Sequence, residues 1–495
     1  MVENNVAAQN SASNTEIFQS LMKLGSPLIL RGLIIAGLQF FLKRIILAKK
    51  DEKLLAMYSD ISSIEGFVFV FLFSGLHVIS TMTASINASG RDPERIGVLY
   101  RQGILFGLSL MIPTAALCAS ASTIFRITHQ PEMTIRNADL YFKYSFFAYV
   151  MDVLYRAQFP ITVGLSEPKS SLIADSAEAI LDVLFTYLLI NGKCGFPEMG
   201  VEGAALGYGL AASLTTLSYA GYLYHSPNFK KYKLFSLGDQ PFFDWPIFKS
   251  ILSNGFYTGL NGSLVYLTQM LTTFLCGASS QSALIGLEAA GSASYLIETP
   301  LSGFTEASII LIGRSKNVNF DYFKKVGNLT IFVGFAYSFL SAVTLLIFSS
   351  AVAQQFMPNT VSNREDFQLV VTFLKLQAVI EIVNGIRNTG FDVLSGCLDT
   401  KYPCMLGIGF IFLLNSILVA GSFYLSKQNP LAAFGVQLVG LTMTATGVSM
   451  RWKKQCSMDV QKAGFWNNHA HGRGIEADRH PEANLELPRM ALSAA

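Results

Sequence analysis

Three carboxylates recur inside one apolar stretch, SSLIADSAEAILDVLFTYLLI, at Asp175, Glu178 and Asp182. Spacings of three and four place all of them on one helix face. A carboxylate in hydrocarbon is costly unless it binds something, so such a face suits a proton or a cation, or else closes a salt bridge. Asp175 lies near the helix start after Pro168, where the helix dipole favours an anion, and reads as mostly structural. Glu178 and Asp182 lie deeper, and the two readings, ion site or static bridge, stay open for them. A partner for the bridge is Arg31. It sits about as far into the first apolar stretch as Asp182 does into its own, which predicts an Arg31–Asp182 pair.

Other ionisable groups are also predicted within apolar stretches. Asp152 precedes Tyr155 and Arg156 by one turn. Further on, Glu381 and Asn384 share a face, with Arg387 three residues later and Asp392 beyond it. Glu298 stands beside Pro300, where a missing backbone bond makes a hinge and lets water in. Glu288 and Glu306 share that stretch, and Glu65 and His77 are weaker candidates in an earlier one. The ion-coupling candidates are therefore Glu178, Asp182, Glu381, Asp152 and Glu298. The cavity candidates are Arg31, Asn384, Arg387, Gln269 and Tyr266. No phosphate loop, metal pair or nucleophile triad stands out, so no cofactor and no enzymatic activity are expected. The six scattered cysteines read as buried free thiols.

The elements that must carry these groups are transmembrane helices. Apolar residues make up 51% of the 495 and charged residues only 14%, where a soluble chain carries about a quarter charged. Apolar runs of roughly 20 residues span a bilayer. Breakers divide the chain into twelve such spans, near 19–48, 55–86, 102–125, 139–164, 169–190, 200–224, 246–276, 283–312, 322–350, 366–394, 402–425 and 430–452. The chain also repeats. Ile17-Phe18-Gln19-Ser20 returns as Ile247-Phe248-Lys249-Ser250, Gly90-Arg91 as Gly313-Arg314, and the Gly164–Lys169 segment as Gly396–Lys401, at offsets of about 230 residues. Two six-span lobes follow, 17–224 and 246–452, joined by a polar linker 225–245 and flanked by polar tails 1–16 and 453–495. The last tail is expected to lack fixed structure. The first carries no basic start or apolar core and is no signal peptide. Basic residues such as Lys169, Lys230, Lys231, Arg314, Lys316 and Lys401 cluster on the side of both termini, which predicts cytoplasmic termini. The net charge of +3 points to no nucleic-acid partner.

Four segments resemble a known family: LGSPLIL (24–30), SINASGRDPERIGVLYRQG (85–103), NGKCGFPEMGVEGAALGYGLA (191–211) and LSGCLDTKYP (394–403). Together with the twelve-span layout, they resemble the multidrug and toxic compound extrusion (MATE) transporters, over residues 17 to about 452. The resemblance implies an all-α polytopic protein of two six-helix lobes, pseudo-two-fold and V-shaped. It further implies antiport of small amphipathic or cationic compounds against protons or sodium ions; a monomer is expected, and with no organellar address evident the default membrane is the bacterial inner one. Three positions depart from the pattern. Leu42, Val265 and Asn384 stand where relatives often carry coupling acids, while Asp182 falls where they carry an asparagine and Thr186 where they carry an aspartate. Other readings are a flippase-like transporter of an anionic or lipid-linked substrate, which needs Arg31, Arg156 and Arg387 on one solvent path, and a non-transporting scaffold derived from the fold.

Overall fold

The computed structural model describes residues 13–42, 52–89, 92–127, 132–236, 241–277, 281–316, 319–357 and 364–470. Residues 1–12, 43–51, Gly90-Arg91 and 471–495 lie outside the described residues. Among those described, the chain is built from helices and turns. In order they are α1 (Asn14–Phe41), α2 (Glu52–Ser89), α3 (Arg95–Ile127), α4 (Glu132–Gly164), α5 (Pro168–Asn191) and α6 (Val201–His225). After a helical turn at Pro227–Lys230 come α7 (Trp245–Gly277), α8 (Gln281–Ser315), α9 (Phe320–Ala353), α10 (Arg364–Gly396), α11 (Lys401–Leu425) and α12 (Gln437–Ala470).

Local chemistry accounts for several ends. Ser13 and Glu16 cap α1 reciprocally: the Ser13 hydroxyl accepts from the Glu16 N–H at 3.2 Å, and the Glu16 carboxylate accepts from the Ser13 N–H at 2.8 Å. Helix α1 therefore begins at Asn14, inside the predicted polar tail. Pro168 opens α5 and Gly192 closes it at φ +60°, a conformation that costs glycine little. Helix α11 widens into a π-helix over Gly407–Leu414, and Thr268 of α7 donates to the carbonyl of Ile411 there at 2.9 Å. Helix α12 continues past Lys453 to Ala470, where an unstructured tail was expected.

Among the described residues, eight helices are long and apolar enough to cross a membrane by length and composition. Helices α4 to α7 fall outside that set although they are 24 to 33 residues long. At 1.5 Å per residue they run about 36–50 Å, more than the ~30 Å hydrocarbon thickness. The buried charges of α4 and α5, and the many Gly, Ser and Thr of α6 and α7, lower their hydropathy.

The repeat is visible in the packing. Helix α1 packs on α5 as α7 packs on α11; α2 packs on α4 as α8 packs on α10; α3 packs on α4 as α9 packs on α10. The halves meet where α1 crosses α8 and α2 crosses α7. Both crossings are backbone-close. A Cβ on Gly255 would stand 2.7 Å from the Gly75 carbonyl oxygen, and one on Gly303 would stand 2.5 Å from the Ile29 nitrogen. Close approach at small residues is how helices associate in lipid, where no hydrophobic drive separates protein from solvent.

Candidate functional site

Helices from both halves surround a cavity of ≈ 580 Å³. Its wall carries six carboxylates, Glu65, Asp175, Glu178, Asp182, Glu306 and Asp392, against Arg31, Arg156 and His77. Aromatic rings from Phe69, Phe73, Tyr141, Tyr208, Tyr295 and Phe391 stand among them.

A chain of ion pairs crosses the wall. Arg31 donates from Nη2 to Glu306 at 2.7 Å, and its Nε lies 3.4 Å from Asp175. His77 Nε2 is 3.1 Å from the other oxygen of Glu306. Asp175 also faces Arg156 at 3.8 Å, and Arg156 donates to Asp152 at 3.0 Å within α4. The Arg156 guanidinium sits 4.2 Å from the Phe73 ring centroid, a further attraction in a desolvated site. The predicted Arg31–Asp182 pair is not formed. Helical side chains lean toward the helix N-terminus, so a long arginine on α1 reaches back to the level of Asp175. Asp182 is two turns further on and accepts instead from Gln39 of α1 at 3.4 Å and Thr186 at 3.1 Å. The register is consistent: Arg31 to Gln39 rises about 12 Å, and Asp175 to Asp182 about 10.5 Å.

Two carboxylates on the wall have different surroundings. Glu65 accepts from the hydroxyls of Tyr141 (3.0 and 3.1 Å) and Tyr149 (3.1 Å) of α4. Glu178 is buried, and its Oε2 takes no hydrogen bond among the described residues. Leu42 also lines the cavity, at 2% exposure, where the resemblance places an acid.

The remaining candidates sit apart from this wall. Asn384 donates to Glu298, Arg387 donates to Asn384 at 3.1 Å and to Asn388, and Asn388 donates to Glu298 at 3.3 Å. Glu381 accepts from Gln377 at 2.6 Å and from Ser294. These side chains form a hydrogen-bonded layer between α8 and α10. Tyr266 and Gln269 are exposed on α7; the Tyr266 ring lies against Gly66 of α2, and Gln269 faces Gly291 of α8. Arg31 and Arg156 line the cavity but are held by acids, and Arg387 belongs to the second layer, so the three arginines do not share one path.

Sequence reasoning gave Glu306, Glu65 and His77 too little weight. Glu306 is the one charge in TEASIILIG, and Arg31 is the one charge in an equally apolar stretch; two lone intramembrane charges of opposite sign were a pairing signal. Tyr141 and Tyr149, eight apart on α4, gave a fainter sign of a buried acceptor opposite. Among the cysteines, Cys118, Cys397 and Cys404 are buried as expected, while Cys194 is exposed between α5 and α6.

Comparison with known proteins agrees with the fold. The MatE family model matches residues 27–188. The probable multidrug resistance protein NorM of Synechocystis sp. is 22% identical over 401 residues, 79% of this chain and 85% of its own. That of Brucella suis is 23% identical over 455 residues, 88% of this chain and 92% of its own. The crystal structure of the eukaryotic MATE transporter AtDTX14 superposes with a TM-score of 0.79 at 14% identity, over 90% of this chain and 98% of that one. An outward-facing MATE family transporter of the MOP superfamily gives 0.74 at 15% identity, over 91% and 97%. The chain is thus similar to MATE transporters in sequence, matching the family model over residues 27–188, and it shares their multi-pass membrane fold over most of its length.

Proposed function

We propose that this chain exports small organic cations or amphipathic drugs by alternating access, in exchange for protons. The observation that carries the reading is the cavity wall. Six carboxylates oppose two arginines there, so the wall is net negative, and ring faces stand between the acids. A delocalised cation gains from both features, Coulombic attraction and the ring quadrupole. A volume of ≈ 580 Å³ suits a drug-sized compound. The multidrug resistance names of the relatives support the same substrate class.

Glu178 is our candidate for the exchanging group. It is buried on the cavity wall with a free oxygen, so it can hold a proton when the cavity is empty and surrender it to an arriving cation. Asp182 and Glu65 flank it with neutral donors and complete the site. The moving parts are residues 17–224 and 246–452, in a monomer in the bacterial inner membrane with both termini cytoplasmic. Separating the halves at the α1–α8 and α2–α7 crossings opens the cavity to the opposite side. The anion-flippase reading loses support because Arg31, Arg156 and Arg387 are paired and do not share one path.

The test is flux. Purified protein in liposomes should accumulate ethidium or tetraphenylphosphonium under an imposed pH gradient, and do so with sodium absent from both sides. Uptake driven only by a sodium gradient assigns the other coupling ion. No uptake under either gradient removes the transport reading.

A further inference from the structure

Arg31 is held from both halves at once. Asp175, at 3.4 Å, belongs to its own half, whereas Glu306, at 2.7 Å, comes from α8 of the other. The same Glu306 takes His77 of α2 at 3.1 Å, so one carboxylate of the second half holds two bases of the first. All three side chains line the cavity. The tie continues along α8. Gly303 lies against the backbone at Ile29, Thr299 against Gly32, and Arg314 donates to the carbonyl of Gly164 at the end of α4 at 3.0 Å. The charged groups around Glu306 are Arg31 from α1, His77 from α2, Asp175 beyond Arg31 on α5, and Asp392 on α10.

We infer that Glu306 is a charge-gated latch: ionised, it holds the two halves closed at the α1–α8 crossing, and with its charge taken up by a cavity-bound cation, it lets them part. The geometry favours release in one direction. Removing the partner of a buried charge is ordinarily severe, because a lone charge is left behind. Here Arg31 keeps Asp175 in its own half when Glu306 drops out, so the arginine is never stranded. The bond that breaks is the one between halves, and the bond that remains lies within one. Because Glu306 faces the cavity, ligand occupancy and lobe separation become one linked equilibrium. This inference rests on the alternating-access reading and adds the residue that couples occupancy to movement.

Its test needs no identified substrate. Spin labels are placed at Lys23→Cys on α1 and Lys249→Cys on α7, both exposed, in a background without native cysteines. Distances are then read by double electron–electron resonance in nanodiscs. The parent protein should give one short distance. Glu306→Gln should add a longer one and raise its population at least about tenfold, as expected when a buried tie is lost. Asp175→Asn, which removes only the same-half partner, should leave the short distance in place. If Glu306→Gln does not fold, Glu306→Asp is read in its stead and should give a smaller increase in the same direction. The latch is overturned if neither Glu306 variant lengthens the distance, or if Asp175→Asn lengthens it equally. Loss of drug flux with these distances intact would strike the transport reading alone, and unchanged distances with intact flux would strike the latch alone.

Discussion

Replacing Arg31 by methionine tests the ion-pair chain where it is most loaded. The residue is 8% exposed, and its side chain contacts Glu306 at 2.7 Å and Asp175 at 3.4 Å. Breaking a buried pair by removing one partner costs about 3–5 kcal/mol. Each acid left behind keeps a second partner here: Arg156 at 3.8 Å for Asp175, and His77 at 3.1 Å for Glu306. The low end, about 3 kcal/mol, is therefore expected. For a chain of this length the unfolding entropy is roughly 1 kcal/mol per kelvin, so the midpoint should fall by roughly 3 °C. Glu306→Leu should cost a similar amount for the same reason. The double variant Arg31→Met/Glu306→Leu should sit closer to the parent than the sum of the two, because an apolar pair can replace an ionic one at little cost. The assay is thermal unfolding of the purified protein in one detergent, followed by size-exclusion recovery. Additive losses in the double variant, or an Arg31→Met midpoint equal to the parent's, would refute the claim that these residues act as a pair.

Three further outcomes are expected. Glu178→Gln should keep the fold but abolish proton-driven uptake in liposomes, and uptake at the parent rate would remove Glu178 from the exchange site. Gly255→Leu should disrupt the α2–α7 crossing, since even a Cβ there meets the Gly75 carbonyl at 2.7 Å; expression and monodispersity should drop well below those of a leucine introduced at Gly221, which has open space around it. In intact cells Cys194, exposed between α5 and α6, should react with a membrane-impermeant maleimide from outside, as cytoplasmic termini require; labelling only after lysis would reverse the assigned orientation.

The helices and their pairing into halves were legible in the sequence because a bilayer enforces long apolar runs and the repeat marked their order. Pro168, Gly192 and the Ser13/Glu16 box set helix ends by chemistry that is local to the chain. The site was legible only in part. The 175–178–182 face does line the cavity, because three- and four-residue spacing fixes a helix face whatever packs against it. Partners across helices were not legible from depth counting. Arg31 meets Asp175 instead of Asp182 because side-chain lean and the length of arginine shift the contact by two turns. Glu381, Asn384 and Arg387 share a face as expected, but that face meets α8, and sequence spacing alone does not say which neighbour a polar face will find.

The central claim is that the cavity exchanges a proton for an organic cation, and calorimetry of tetraphenylphosphonium binding tests it without any gradient or orientation. Titrations in buffers of different ionisation enthalpy report the protons released per cation bound. The account predicts release of close to one proton in the parent protein and close to none in Glu178→Gln. Tight binding with no proton released from the parent would contradict it.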